Sequence, residues 1–300
     1  MSEMSDDMPE SAPELAAAPA APTSETATLQ STSSDGLFDF ETCYRTDVGC
    51  VRKVNEDSVL PAPGSGLWLV ADGMGGHAAG DYASQTIVAQ MENVGVPAGA
   101  LDLRARFMER LSGANAMILA HAADLGKGAI GSTIAALMIQ QDHYASIWSG
   151  DSRVYLFRSG QLRRVTKDHT EVQAMVDAGR ITEDEAYNWP QRNVITRAIG
   201  VTEVPECDMV EGALAHGDLF LICSDGLTEY YHDSELEGVL AQANLGGQSG
   251  AMADTCDRLV DTARDRGGKD NVSVVLVRVM ENPLPEFKAE GVFPEMGGDL

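Results

Sequence analysis

The 300-residue chain carries 46 Asp and Glu against 21 Lys and Arg, a formal net charge of −25. That balance excludes a general nucleic-acid binder, which needs a basic face, and a protein held to anionic lipid by charge. Hydrophobic residues make up 44%, enough for a packed domain. No apolar run reaches the ~18 residues of a membrane span.

Taken in chain order, residues 1–36 come first as an Ala-, Pro-, Ser-, Thr- and Glu-rich stretch with almost no large apolar side chain. Such a stretch buries too little apolar area to offset its ordering entropy, so a disordered tail is expected. Its start, MSEMSDDMPE, lacks the basic and apolar regions of a secretory signal, which points to a cytoplasmic location. Strands are expected at 40–47, 57–60 and 67–71. Apolar residues at i, i+3, i+4 spacing predict helices over 77–92 and 101–125. Four strand-like pieces follow at 133–140, 144–149, 154–158 and 162–166, the last two joined by a Ser159-Gly160 turn. Short helices are expected at 171–178 and 183–187, a buried strand at 219–223, helices at 235–243 and 251–264, and a closing strand at 272–280. Residues 281–300, with three prolines and a Gly-Gly, are expected to be a second tail. Hairpin-linked strands with helices inserted in pairs predict an α+β architecture rather than a regular βαβ alternation. The domain is expected to span 37–280.

The tails concentrate acidity. Residues 1–41 hold nine acids and no base, and 281–300 hold five acids and one Lys, which leaves −12 for 42–280. The five cysteines form no C-x-x-C and no zinc-like pairing with the six histidines, so reduced thiols are expected. HExxH, G-x-S-x-G and Walker sequences are absent, and there is no internal repeat.

The informative feature is a set of acids that follow apolar strands and precede glycine or a polar turn. The run 67–71 leads into Asp72-Gly73, 146–149 into Gly150-Asp151, and 219–223 into Ser224-Asp225-Gly226. Asp270-Asn271 precedes the final strand, and Arg52, Glu56 and Asp57 cluster at an early strand edge. Each Asp-Gly alone is most simply a turn. Gathered at one edge, the carboxylates would repel by about 4 kcal/mol per pair at 4 Å and an effective dielectric of 20. Hard divalent cations relieve that, since oxygen-only ligands select Mg²⁺, Mn²⁺ or Ca²⁺. Arg52 suits a phosphate bidentately; the bland alternative is a surface ion pair with Glu56 and Asp57. Hard metals and an Arg, without a nucleophilic Ser or Cys motif, point to metal-activated water attacking phosphate. One competing signal is Gly73-Met74-Gly75-Gly76-His77-Ala78, which matches a dinucleotide-binding G-x-G-x-x-A with Glu92 about twenty residues on. Asp72 beside a pyrophosphate argues against it.

In order and spacing, the residues resemble the bacterial metal-dependent (type 2C, PPM) Ser/Thr protein phosphatases. The carriers are Arg52-x-x-Asn55-Glu56-Asp57, Ala71 to His77, Gly131-Ser132-Thr133, Gly150 to Arg153, Asp168-His169, Val194 to Gly200, Cys223 to Gly226 and Asp270 to Ser273. The resemblance implies a four-layer α/β/β/α sandwich of two antiparallel sheets flanked by helix pairs, with a small flap at about 170–192. It implies that Asp72 bridges two Mn²⁺ or Mg²⁺ ions, that the Gly73 carbonyl serves one, and that Asp225 and Asp270 complete the other. Asp151 with Asp225 would hold a third, weaker ion. Arg52 would grip the substrate phosphate, and Glu56 and Asp57 would order metal-bound waters. A water shared by the two ions would attack phosphorus in line on phosphoserine or phosphothreonine.

Met74 stands where eukaryotic members carry a His proposed as general acid. His77 and His169 are nearby in the motifs, with a structural role favoured for each. The implied partners are phosphorylated proteins and an opposing bacterial Ser/Thr kinase. Residues 147–151 also carry a faint resemblance to phosphatases associated with type VI secretion. The alternative on the same fold is a catalytically silent phosphoprotein-binding regulatory domain.

Overall fold

In the computed structural model, residues 26–33, 37–75, 79–126, 129–245 and 250–282 are described. Twelve strands form among them: β1 (Ala27–Thr32), β2 (Phe38–Asp47), β3 (Asp57–Ala62), β4 (Leu67–Met74), β5 (Gly131–Ser132), β6 (Ile134–Gln140), β7 (His143–Ser149), β8 (Arg153–Arg158), β9 (Gln161–Arg164), β10 (Asp208–Ala213), β11 (Leu219–Cys223) and β12 (Val272–Glu281). One sheet runs β1-β2-β12-β11-β8-β9, the other β10-β7-β6-β4-β3 with β5 beside β4. Every pairing in both sheets is antiparallel.

The period-2 alternation of strand side chains builds the layers. Leu67, Leu69 and Ala71 of β4 face the helices α1 (Gly80–Glu92) and α2 (Ala100–Leu125), meeting Ile87, Phe107 and Leu111. Trp68 and Val70 point the other way and meet Phe220, Ile222, Val275 and Val277 of the opposing sheet. Leu219, Leu221 and Cys223 of β11 turn outward to α6 (Asp233–Leu245) and α7 (Ala251–Asp265), against Leu236, Cys256 and Leu259. Both faces of each sheet are covered, which is why the central strands read as continuous apolar runs. The result is the expected α/β/β/α sandwich. The helices α3 (Glu171–Asp177) and α4 (Glu183–Tyr187) stand apart as the flap, and the short α5 (Asp225–Thr228) follows β11.

Four points of the sequence reading change. Ala27–Thr32, assigned to the tail, is an edge strand paired with β2 from Ala27↔Tyr44 to Thr32↔Asp39. Its main chain completes a ladder, and only Ala27, Leu29 and Ser31 alternate inward, so side-chain apolarity alone did not mark it. The strand β10 lies in a stretch that carried no predicted element, because its half-buried, half-exposed residues form a sheet edge beside β7. The dinucleotide-binding reading fails on topology: β4 pairs antiparallel with β3 and β6, so no βαβ crossover surrounds Gly73. His77 lies outside the described residues, and the helix expected from 77 begins at Gly80.

Candidate active site

Strand register brings the candidate acids to one end of the sandwich. Asp57 sits opposite Asp72 in the β3–β4 pair. Cys223 lies beside both Arg153 and Val274, so the residues just beyond β11, before β8 and before β12 share one edge. At that edge the 48–56 loop passes from β2 to β3, and Gly150-Asp151 passes from β7 to β8, each crossing between sheets. Asp72 and Asp57 thus come from one sheet, Asp225 and Asp270 from the other, and Asp151 from the crossing. These five, with Arg52 and Glu56, are brought together as the sequence predicted.

Each acid is held by its backbone or by a neighbouring hydroxyl. The Asp72 N–H donates to Thr133 Oγ1 at 3.1 Å, the Thr133 N–H returns a bond to Asp72 O at 2.8 Å, and the Thr133 and Ser152 hydroxyls lie 2.7 Å apart. Ser224 Oγ donates to Asp57 Oδ2 at 2.8 Å, joining the two sheets. Asn271 is the staple of the 48–56 loop. Its Nδ2 donates to Val48 O and Val54 O, both at 3.0 Å, and its Oδ1 accepts the Glu56 N–H at 2.8 Å. Two glycines are required by close approach: a Cβ on Gly73 would strike the Gly80 carbonyl, and one on Gly226 the Asn271 carbonyl.

The electrostatics are those of crowded like charges. Burial first, then the charges of Asp57, Asp225, Asp151 and Asp270, raises Asp72 well above the ordinary carboxylate range. Burial, then Asp225 and Asp168, does the same to Asp151. Burial and the nearby Asp225 and Asp270 push Asp57 up to about 7, despite the hydroxyl bonds it accepts. Asp225 is pushed up to about 6 by burial, Asp270 and Glu229, and shares a hydrogen bond with Asp72. Glu56 is also raised, mainly by burial.

Arg52 is the cation of the group, and its Nη2 donates to Asp270 Oδ2 at 2.7 Å. The ion-pair alternative therefore finds a different partner from the Glu56 and Asp57 suggested by sequence spacing. Among the described residues, no three Asp, Glu, His or Cys side chains are drawn into a closed ligand set. The donor chemistry nevertheless fits a hard divalent cation. The donors are all oxygens, the carboxylates repel one another, and buried Asp57 Oδ1 has no hydrogen-bond partner among the described residues.

His169 is placed structurally. The Gly150 N–H donates to its Nδ1 at 3.2 Å, and Nε2 lies 3.2 Å from Asp208 Oδ2 and 3.4 Å from Arg197 Nη1. Both ring nitrogens are thus engaged by neighbouring groups. Thr133, Ser224 and Asn271 sat inside the quoted motifs without a role, and only their contacts reveal one. Arg153 was likewise unassigned; it grips Asp168 with Nε at 2.9 Å from Oδ1 and Nη2 at 2.6 Å from Oδ2, beneath the Asp151 turn. A cleft of about 310 Å³ opens between the flap and α5, with Asp151, Asp225, Thr170, Tyr187, Arg192 and Asp233 in its walls.

Known proteins share this fold. The serine/threonine protein phosphatase PstP of Mycobacterium tuberculosis is 38% identical over 238 residues, covering 79% of this chain and 44% of PstP. The chain thus spans less than half the length of that curated relative. The structure of PppA, described as a key regulatory component of T6SS in Pseudomonas aeruginosa, superposes with a TM-score of 0.72 at 36% identity, covering 80% of this chain and 98% of PppA. The catalytic domain of PstP in complex with two manganese ions superposes with a TM-score of 0.71 at 36% identity, covering 82% of this chain and 100% of that domain. Residues 50–272, which contain the whole carboxylate cluster, match the family described as Protein phosphatase 2C. By its sandwich and by this match, the chain belongs to the protein phosphatase 2C family.

Proposed function

We propose that this chain is a metal-dependent protein phosphatase that removes phosphate from phosphoserine and phosphothreonine. Asp72, the Gly73 carbonyl, Asp225 and Asp270 would hold two Mn²⁺ or Mg²⁺ ions, and Asp151 with Asp225 a third. When bound, such ions neutralise charge developing on a phosphoryl group and lower the pKa of water. The protein's own residues do the rest. Thr133 and Ser224 fix the Asp72 backbone and the Asp57 carboxylate before substrate arrives. Asp57 Oδ1, without a partner among the described residues, is an acceptor for a water proton, and Glu56, held by the Gly80 N–H, is a second. Arg52, half exposed at the rim, presents the guanidinium fork for the phosphate once it leaves Asp270.

The observation that carries this reading is the convergence of five aspartates at one edge of the two sheets, close enough to repel one another, one of them with a buried oxygen that has no hydrogen-bond partner among the described residues. Similarity to PppA supports a role in type VI secretion, and the proposal extends to an opposing Ser/Thr kinase; phosphoproteomics of a deletion strain beside its parent would test both. The direct experiment is hydrolysis of p-nitrophenyl phosphate and of a phosphothreonine peptide with Mn²⁺. Asp225→Asn should lower the rate by more than the about 10–100-fold that loss of an outer metal partner costs. Activity that survives EDTA, or that Asp225→Asn leaves unchanged, overturns the metal mechanism. Phosphopeptide binding without turnover by the wild type would instead identify a silent regulatory domain.

A further inference from the structure

The exit of the flap is tied to the helix that begins with Asp225. At the end of α4, the Tyr187 ring stacks on His232 with centroids 3.8 Å apart, and its hydroxyl donates to Glu229 O at 3.3 Å. Arg192 bridges the same two elements. Its Nη1 donates to Tyr187 O at 2.6 Å and its Nη2 to Glu229 O at 3.2 Å, while the guanidinium lies 4.8 Å over the Tyr187 ring. The Glu229 N–H in turn donates to Asp225 O at 2.8 Å, closing α5. The next flap residue reaches the carboxylate itself, with Asn193 Nδ2 3.3 Å from Asp225 Oδ2. Asp225 is therefore reached from the flap by two routes, one through the backbone of α5 and one directly.

We infer that Tyr187, Arg192 and Asn193 form a latch that sets the position of the Asp225 carboxylate, so that the flap tunes divalent-cation binding at that carboxylate. This rests on the proposed metal-dependent reading. The three are positioning residues, since they act through Asp225. A guanidinium shared between two carbonyls and a ring is a geometry that Lys cannot reproduce. A carboxylate released from its latch must be ordered again when a cation binds, which lowers affinity.

The test uses the full chain and Mn²⁺ alone. Calorimetric titration should show Arg192→Ala binding Mn²⁺ about tenfold more weakly than wild type, a change of about 1.4 kcal/mol. Arg192→Lys should fall between the two. Hydrogen exchange over residues 183–193 should quicken in Arg192→Ala, and in an Asp225→Asn background the effect of Arg192→Ala on the remaining Mn²⁺ binding should vanish. Asn193→Ala, which leaves the stack intact, carries the same test with a roughly threefold weakening should Arg192→Ala fail to fold. Wild-type affinity in both alanine variants, or an Arg192→Ala effect that persists undiminished without Asp225, overturns the latch alone. A wild-type chain that binds no Mn²⁺ overturns the metal reading on which it rests.

Discussion

The two sides of the candidate site are built to different standards. On the Asp270 side, the 48–56 loop is pinned by three hydrogen bonds through the Asn271 side chain. The acids beyond it are backed by Thr133 and Ser224, both fully or almost fully buried. On the flap side, α3 has seven residues and α4 five, and none of the α4 residues is buried. The flap meets α5 through a few partly exposed contacts at Tyr187, Arg192 and Asn193. The difference follows from what each side touches. Carboxylates that repel one another must be fixed by the sheets, whereas an element beside the cleft carries no such load and is cheap to displace.

Breaking the rigid side should have the largest effect. Asn271→Ala leaves Val48 O, Val54 O and the Glu56 N–H short of a partner, and each such group costs on the order of 1–3 kcal/mol when it stays buried. Thermal unfolding of the metal-free protein should drop accordingly, and phosphatase activity should fall with it because Arg52 and Glu56 sit on the loop that is released. An unchanged midpoint would show that the loop is held elsewhere.

An intermediate effect is expected from pH. Asp57 and Asp225 are raised to about 7 and about 6 from an ordinary 3.8, chiefly by burial. Between the unfolded and folded values, the folded cluster keeps protons that the unfolded chain has released. The contribution of this cluster to stability therefore falls as pH rises through that window. In EDTA the unfolding midpoint should decline from about pH 5 to about pH 8 through this cluster, and the stabilisation produced by Mn²⁺ should grow over the same range as cation replaces proton. Mn²⁺ stabilisation that is larger at pH 5 than at pH 8 would contradict the assignment.

The smallest effect belongs to the flap. Thr182 caps α4 in a reciprocal capping box, with the Glu185 N–H donating to Thr182 Oγ1 and the Thr182 N–H to the Glu185 carboxylate. Thr182→Ala should cost about 1 kcal/mol, felt only within α4. Faster amide exchange over 183–187 with an unchanged global midpoint is the expected result. A lowered global midpoint would mean that the flap is part of the same cooperative unit as the sandwich.

Much of this site could be read from local pattern. Asp72 directly and Asp225 after one serine follow fully apolar runs and precede glycine, and both apolar runs are buried strands whose last residues lie at one edge. Helical periodicity located α1, α2 and α7, whose buried residues recur at three and four positions. The edge strands β1 and β10 escaped, because their stability comes from main-chain pairing with β2 and β7 and their side chains are half exposed. The partner of Arg52 also escaped: Glu56 and Asp57 are neighbours in sequence, but the guanidinium turns to Asp270, 218 positions away.

The sequence by itself determined the composition of the site, its oxygen-only donors, its glycines and the order in which its parts arrive, since each depends on residues close together in the chain. Tertiary structure decided which groups answer one another. The Ser224 hydroxyl reaches Asp57 across 167 positions, Asn271 staples a loop more than two hundred positions away, and Arg192 joins the flap to α5. Such pairings arise where two sheets close on each other, and hydrogen bonds of fixed length and direction form only after that closure has placed their ends.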